Sequence, residues 1–211
     1  MRVNHNPTPT PGGRQAKRMQ KTEERETKLM EEGKTRTSNR NELNLIREGY
    51  HYNSHVRKRY FQVISKLPEA ELTKDRGASF PSILDIFTHV LDAYRWWFLY
   101  VYTDKVHERK RLLDTGLRLD KIKQEEHKID SFVKKFLQKL STKDLAKAIV
   151  WHEVDPKGKR WTIKITMRDM LWTLVGEELQ HRGELNALLW QIDIDPPITE
   201  WVDFWTVGKE K

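Results

Sequence analysis

The 211-residue chain contains no cysteine, which excludes disulfide bonds, thiolate metal ligands and a cysteine nucleophile. Its longest apolar stretch, VLDAYRWWFLYVY, is too short to cross a bilayer and carries Asp92 and Arg95, so we predict no transmembrane helix. The N-terminus lacks the apolar core of a secretory signal, and its glutamates argue against a transit peptide. Together these absences predict a cytoplasmic protein that does not enter a membrane.

Residues 1–41 lack Trp, Tyr and Phe and include the Pro/Gly/Thr-rich stretch NHNPTPTPGGR. They hold ten Lys or Arg and five Glu, and so carry +5 of the net charge of +8. Because such a segment cannot bury enough apolar area to offset chain entropy, we predict a disordered basic tail. A solubilising extension and an arm that binds nucleic acid or an anionic surface both remain open. Residues 42–211 are predicted to form one domain.

Aromatic residues are plentiful in the remainder, and the chain's 8 Trp, 7 Phe and 6 Tyr require a core. Apolar residues recur at three- and four-residue steps over 42–66, 82–103, 118–139 and 166–191, which predicts four helices. The predicted buried faces include Leu45 and Phe132. Between 148 and 165 the pattern AIVWHEV, DPKG, KRWTIKI predicts a β-hairpin. We therefore expect an all-α four-helix bundle with a small β-hairpin before the last helix.

The last predicted helix contains VGEELQHRGEL, in which polar residues interrupt the apolar stripe. Glu177 and His181 fall in register with Leu174 and Leu185, so we expect both polar side chains to face the core. A buried carboxylate needs a basic partner, a proton or a metal ion to offset its desolvation. Residues four apart lie on one face of a helix, which suits two ligands of one ion.

A third ligand is expected from another helix, and His89 is the best candidate at the edge of the second helix's apolar stripe. The alternative is a hydrogen-bonded core histidine without a metal. Asp85, one turn earlier, suits either an acceptor for an imidazole N–H or a first-turn helix acid. His51 and His55 have the same four-residue spacing as Glu177 and His181, but they lie toward a polar face. The remaining histidines are expected to be solvated: His5, His107, His127 and His152.

Three residues beside His181 have expected roles of their own. Arg182 is expected to reach a neighbouring element or the surface rather than a metal ion. Gly183 would permit close helix packing, and Glu184 would be a surface acid or a base at the rim of the site. The sequence shows no G-x-S-x-G elbow, Walker loop or dinucleotide fingerprint that would favour another chemistry.

From Tyr52 onward the chain resembles the DinB (damage-inducible)/YfiT-like family of metalloenzymes, over about residues 42–207. The landmarks, in order, are YHYNSHVRKRYFQVISKLPEAEL, FPSILDIFTHVLDAYRWW, IVWHEVDPKGKRWTIKI and LVGEELQHRGELNALLWQIDIDPP. Family members carry one histidine in the second helix and an H-x-x-x-H-R-G-Q motif in the last. His89 and His181 match two of these ligands, whereas Glu177 stands in place of a histidine and Glu184 in place of the glutamine. The resemblance thus implies His89, Glu177 and His181 as metal ligands.

Two histidines and a carboxylate suit Zn²⁺ first, with Fe²⁺, Ni²⁺ and Mn²⁺ as alternatives. Three ligands leave a position open, as catalytic sites do. The resemblance implies hydrolase-like or thiol-transferase-like chemistry on an unidentified small molecule, including a low-molecular-weight thiol. It also implies a homodimer, for which the aromatic C-terminal segment offers a surface unless its side chains cap their own bundle: Trp201, Phe204 and Trp205.

Three hypotheses from different functional classes follow. The first is a metal-dependent enzyme with an open His/Glu/His site. The second is a non-catalytic metal-binding or stress-linked bundle protein, which predicts that the ligands are closed off from solvent. The third is a nucleic-acid-associated protein that works through the basic tail at residues 1–41.

Overall fold

A computed structural model of the protein describes residues 41–202 and residue 204. Apart from Asn41, the predicted basic tail lies outside these residues, and so does Trp205; the predictions about them stay predictions. Among the helices in the described part of the chain, none has both the length and the apolar character that a membrane span requires.

The described chain is mostly helical, as predicted. Its helices are α1 (Glu42–Ile64), the short α2 (Glu69–Thr73), α3 (Ile83–Arg95), α4 (Leu119–Lys139) and α5 (Met167–Trp190). The sequence pattern did not predict α2. Helices α1 and α3 each pack against both α4 and α5, and all four contribute residues to the apolar core. Short 3-10 turns lie in the connections at Val106–Glu108, Leu113–Thr115 and Thr142–Ala146.

The second predicted helix begins as expected but changes its winding before it ends. Ser82 caps α3, because its Oγ accepts a hydrogen bond from the Asp85 N–H at 3.2 Å. After Arg95 the chain continues as a π-helix, Trp96–Val101. Within this segment Phe98 and Val101 are buried, at 2% and 1% exposure. The predicted range 82–103 is therefore one α-helix followed by a π-helical segment.

The predicted hairpin is present. Strand β1 (Ala148–Val154) pairs antiparallel with β2 (Arg160–Thr166), from Ala148 opposite Thr166 to Val154 opposite Arg160. In the turn the Asp155 carboxylate accepts from the backbone N–H groups of Lys157 and Lys159, each at 2.9 Å. Gly158 adopts φ +80°, a conformation that glycine adopts without strain.

The hairpin leads directly into α5. Thr166, the last residue of β2, is also the N-cap of α5, and it forms a capping box with Asp169. The Met167 N–H donates to the Lys147 carbonyl at 2.8 Å, which fixes the start of the helix against the base of β1. These local contacts determine that α5, which carries Glu177 and His181, begins at Met167.

Two predicted core residues are exposed instead. Leu45 is 40% exposed because α1 buries the neighbouring positions Leu43 and Ile46. Phe132 is 42% exposed and packs edge-on against Phe98 at the rim of the α3–α4 contact. In both helices the buried stripe is narrower than the apolar pattern suggests.

The aromatic C-terminal segment packs on α1. The Tyr52 ring lies 4.4 Å from that of Trp201 and 5.6 Å from that of Phe204. His51 and His55 also contact the Phe204 ring, at centroid distances of 5.1 and 5.5 Å. Trp201 and Phe204 therefore pack against their own chain. This is one of the two alternatives that the sequence left open for these residues, the other being a dimer interface.

Candidate metal centre

His89, Glu177 and His181 converge between α3 and α5. One carboxylate oxygen of Glu177, Oε1, lies 2.8 Å from His89 Nε2 and 3.2 Å from His181 Nε2. The three candidate ligand atoms all lie within 4.8 Å of one another. The fold thus brings together the three residues singled out in the sequence, although 88 positions separate His89 from Glu177.

The spacing of these atoms fits a divalent metal ion. Ligand atoms at 2.0–2.2 Å from a tetrahedral ion lie about 3.4 Å from one another. The two distances from Glu177 Oε1, 2.8 and 3.2 Å, are shorter than this by about 0.6 and 0.2 Å. Two imidazole nitrogens and a carboxylate oxygen also form a donor set that Zn²⁺ and other first-row divalent ions accept.

Glu184 supports the site from behind His181. Its Oε2 lies 3.2 Å from His181 Nδ1 and accepts a 2.6 Å hydrogen bond from the Ser79 hydroxyl. Metal-binding histidines commonly hold their second ring nitrogen against a carboxylate in this way. Glu184 is therefore not a free surface acid, because it contacts both Ser79 and the imidazole of His181.

The imidazole of His181 faces a carboxylate at each of its ring nitrogens. Ionised carboxylates only accept hydrogen bonds, and a neutral imidazole donates only one. If Nδ1 donates to Glu184, then the Nε2 lone pair faces the Glu177 oxygen 3.2 Å away. A second proton on the imidazole, or a metal ion bound between the Nε2 atom and the Glu177 oxygen, resolves the mismatch, so the hydrogen-bonding pattern is compatible with a metal ion.

One side of the cluster is open to solvent and the other is packed. The side chains of His89 and Glu177 are 25% and 26% exposed, whereas that of His181 is only 4% exposed. The Phe80 ring stacks on His89 at a centroid distance of 4.0 Å. The hydrogen bond from His89, aided by the fields of both imidazoles, outweighs partial burial and lowers the pKa of Glu177. Glu177 is therefore ionised at neutral pH.

Asp85 is a helix-capping acid rather than an acceptor for His89. Its carboxylate accepts from the Ser82 hydroxyl at 2.6 Å, and its own N–H donates back to the Ser82 oxygen. Of the two roles that the sequence left open, the structure therefore shows the first-turn acid.

On α5 the carboxylate buried in the core belongs to Glu178, not Glu177. Glu178 is 5% exposed and accepts hydrogen bonds from Arg57 of α1 and Tyr94 of α3. Arg57 also contacts Glu126 of α4, with Nε 3.3 Å from Oε1. The prediction of a core-facing Glu177 is wrong by one position, because Glu178 and Arg182 occupy the buried stripe beside His181.

This buried ionic cluster, formed by Arg57, Tyr94, Glu126 and Glu178, draws one residue from each long helix. Burial disfavours the charge of Arg57, but the field of Glu178, and then of Tyr94 and Glu126, holds its pKa above the ordinary value. Burial, followed by the charge of Glu178, raises the pKa of Tyr94. The sequence reasoning missed this cluster. The available signal was Arg57, which stands among the buried positions of α1 between Asn53 and Tyr60.

The prediction for Arg182 is confirmed, whereas the prediction for Gly183 is wrong. Arg182 is 8% exposed and donates to the Tyr52 hydroxyl at 2.6 Å and to Asn53 Oδ1 at 3.0 Å, so it reaches a neighbouring helix as expected. Gly183 is exposed, and none of the described residues places a heavy atom within 4 Å of a Cβ added there. The expected packing role of Gly183 within the chain is therefore wrong; Gly49, which faces Val175 at 3.4 Å, has that role instead.

The rival histidine pair stays apart from the metal centre. His51 is exposed and His55 is half-buried, and both contact Phe204 rather than His89 or His181. Burial, and then the charge of Arg59, lowers the pKa of His55. Three further histidines are exposed, as predicted: His107, His127 and His152.

Comparison with known proteins identifies the family of this chain. The family model for the DinB family matches residues 19–210. The chain belongs to the DinB family. The fold is similar to that of a DinB-like protein from Bacillus cereus ATCC 10987, with a TM-score of 0.54, 17% identity, and coverage of 72% of this chain and 94% of that one. No curated protein matches the sequence.

A second DinB-like protein, YjoA from Bacillus subtilis, is similar over 73% of this chain and 97% of its own, with 17% identity and a TM-score of 0.49. At 17% identity the likeness to the Bacillus cereus structure concerns the fold alone. The candidate ligand set of this DinB protein therefore rests on the geometry of its own chain, in which Glu177 contacts both His89 and His181.

Proposed function

We propose that this DinB protein binds one divalent metal ion through His89, Glu177 and His181, and that the centre is the active site of a metal-dependent enzyme. The observation that carries the proposal is the convergence of three ligand atoms from two helices within 4.8 Å. Zn²⁺ is the ion we propose first, and Fe²⁺, Ni²⁺ or Mn²⁺ would suit the same donors.

Solvent exposure supports a catalytic site over a closed structural one. The side chains of His89 and Glu177 are each about one-quarter exposed. A substrate can therefore approach the ion without displacing a protein ligand, as catalytic sites require. A purely structural ion would be expected to have a complete set of protein ligands and little exposure.

A divalent ion held there would supply a Lewis acid to a substrate oxygen or sulfur. The protein's own residues prepare the site for that ligand. Ser79 and Glu184 fix the His181 ring, and Phe80 covers one face of His89. The reaction class we propose is hydrolysis or transfer of a small thiol.

We also propose that the domain is a four-helix bundle. The contacts of α1 and α3 with α4 and α5 support this architecture.

The metal is tested by elemental analysis of the full-length protein after purification and exchange into metal-free buffer. We expect about one metal ion per chain in the wild type and almost none in His181→Ala. His55→Ala, which alters the rival pair, is the matched control and should keep its ion. Circular dichroism verifies that each variant is folded. Full metal retention by a folded His181→Ala variant would contradict the proposed ligand set.

Catalysis is tested separately from binding. Metal-loaded wild type and His181→Ala would be assayed for hydrolysis of small esters and amides and for conjugation of a low-molecular-weight thiol to an electrophile. Turnover by the wild type that is lost in the variant supports the enzyme. A stoichiometric ion without turnover of any of these substrates would leave the metal site standing and favour the non-catalytic alternative.

A further inference from the structure

A groove of about 350 Å³ lies between α1 and α4, and its volume is within the range of small-molecule binding sites. The candidate metal ligands lie on α3 and α5, and none of them lines the groove. The buried residues Tyr50, Ser54, Val133 and Leu137 form part of its floor, each at 5% or 6% exposure. We call this cavity the α1–α4 groove. Its floor is largely apolar, so it suits a ligand with an apolar body.

Helices α1 and α4 run antiparallel along the groove. Arg47, near the start of α1, donates to the carbonyl of Leu137, near the end of α4, at 3.0 and 3.2 Å. Arg57, later in α1, contacts Glu126, earlier in α4, with Nε 3.3 Å from Oε1. Successive residues of α1 along the groove therefore lie beside residues that come progressively earlier in α4.

Two lysines lean toward the same level of the groove. The antiparallel pairing puts Ser54 and Asp130 at one level. Helical side chains lean toward the N-terminus of their own helix, so Lys58 leans toward Ser54 and Lys134 toward Asp130. Lys58 Nζ lies 3.9 Å from Asp130 Oδ2, which fits this direction. Lys134 also lines the groove and forms no ion pair within the described part of the chain. An anion at this level therefore meets two ammonium groups.

The charge around the groove matches a single anion. The charged groups that line the groove or pair with Arg57 are four cations and three carboxylates: Arg47, Arg57, Lys58, Lys134, Glu126, Asp130 and Glu178. Their net charge is +1. A monoanion neutralises this charge, whereas a dianion would leave excess negative charge beside Asp130.

The Ser54 hydroxyl supplies a hydrogen-bond donor for that anion. Ser54 is 6% exposed and lines the groove. Among the described residues its hydroxyl has no hydrogen-bond partner, although buried polar groups usually have one. Tyr50 differs, because its hydroxyl donates to the Leu171 carbonyl at 3.0 Å and leaves only the ring to the groove. The groove therefore offers a polar point beside an apolar floor.

We propose that the α1–α4 groove binds a small amphipathic monocarboxylate, of the class of medium-chain acids. Its carboxylate accepts a hydrogen bond from the Ser54 hydroxyl and lies between Lys58 and Lys134. Its apolar body lies on the Tyr50 ring and Val133. The site is independent of the proposed metal function, because the candidate metal ligands lie on the other two long helices.

Isothermal titration calorimetry of the full-length protein with octanoate tests the ligand class. We expect one octanoate per chain with a Kd of roughly 10–500 μM, as suits a ligand of this size. Acetate lacks the apolar body and 1-octanol lacks the charge, so each should bind at least tenfold more weakly. Octyl phosphate carries a second charge and should also bind more weakly than octanoate. The proposal is overturned by the absence of saturable octanoate binding at millimolar concentration, by equal binding of 1-octanol, or by tighter binding of octyl phosphate.

Substitutions in the groove test its location. Lys134→Glu should weaken octanoate binding at least tenfold, and Ser54→Ala should weaken it several-fold. Lys135→Glu is the matched control, because Lys135 is the next residue of α4 and is equally exposed but does not line the groove. Circular dichroism verifies that each variant is folded. Unchanged octanoate binding in both Lys134→Glu and Ser54→Ala, or an equal loss in Lys135→Glu, would overturn the site.

A carboxylate is also able to bind a metal ion, so the candidate metal centre is the competing location. His181→Ala should bind octanoate as the wild type does, whether or not the wild type holds an ion. Loss of octanoate binding in a folded His181→Ala variant, with full binding in Lys134→Glu, would place the anion at the metal centre and overturn the groove. Octanoate binding retained in a wild type that proves to be metal-free would support the groove and contradict only the proposed metal function.

Discussion

Two carboxylates contact the His181 ring from opposite ends, and the two contacts have different consequences. Glu177 lies on the open side, where it also contacts His89, and is placed to share an ion with both histidines. Glu184 lies on the closed side and is held by Ser79. Glu177 should therefore determine whether an ion binds, and Glu184 should determine how tightly it binds.

Removing the supporting carboxylate is the test at this scale. We expect Glu184→Ala to weaken metal binding by about 10–100-fold while saturation still gives one ion per chain, because the imidazole loses its orienting acceptor. Glu184→Gln keeps an acceptor oxygen and should lose less. Competition with a chromogenic chelator measures the affinity, and Glu108→Ala, an exposed glutamate in a connection, is the control. Loss of stoichiometry in Glu184→Ala would instead identify Glu184 as a direct ligand.

The helices are joined internally by the buried ionic cluster. Arg57 of α1 contacts Glu178 of α5, Glu126 of α4 and the Tyr94 hydroxyl of α3, at 3.3 Å for the last two. Each partner is almost fully buried. Removing one charged member of such a cluster leaves its partner charged in an environment that cannot solvate it. The free energy lost by removing one partner should therefore exceed the net stabilisation that the intact cluster contributes.

A double-mutant cycle across α1 and α5 tests this. Arg57→Met should lower the free energy of unfolding by about 3–5 kcal/mol, because Glu178 is left buried without its cation. Arg57→Met combined with Glu178→Leu should cost clearly less than the sum of the single changes. Urea denaturation provides the measurement.

The control for this cycle is Arg168→Met, which breaks an exposed pair with Glu42 and should cost less than about 1 kcal/mol. Strict additivity of the Arg57 and Glu178 substitutions would contradict a coupled cluster. A loss for Arg57→Met no larger than that for Arg168→Met would show that the buried charges are compensated in another way.

Sequence patterns predicted the elements well, because their ends carry local chemical signals. Ser82 and Thr166 cap the helices that begin beside them, and Asp155 and Gly158 form the turn between the strands. The π-helix at Trp96–Val101 was not predictable, since its apolar residues suit an α-helix equally well.

At the scale of the whole molecule, α5 explains both the success and the error in predicting the site. One side of α5 faces the core and the opposite side carries the exposed apolar side chains of Trp172, Leu179 and Trp190, so apolar residues surround the helix. The apolar residues of α5 therefore do not mark a single face of the helix. The spacing pattern consequently predicted Glu177 at the buried position that Glu178 occupies. His181 was placed correctly because both alternative stripes include it. The partners Ser79 and Arg57 come from distant segments and needed the fold.

The candidate metal centre joins α3 to α5, so ion binding should stabilise the entire domain. An ion that binds only the folded state adds about 2.7 kcal/mol to the free energy of unfolding at one hundred times its Kd. For a domain of this size, that corresponds to a rise in Tm of about 5–10 °C. We expect Zn²⁺ to produce this rise in the wild type and in His55→Ala, which alters only the rival pair. His181→Ala should show none, and a chelator should reverse the effect in the wild type. Differential scanning calorimetry distinguishes the outcomes: an equal rise in His181→Ala would place the stabilising ion elsewhere on the protein, whereas a rise lost in His55→Ala would implicate the rival pair.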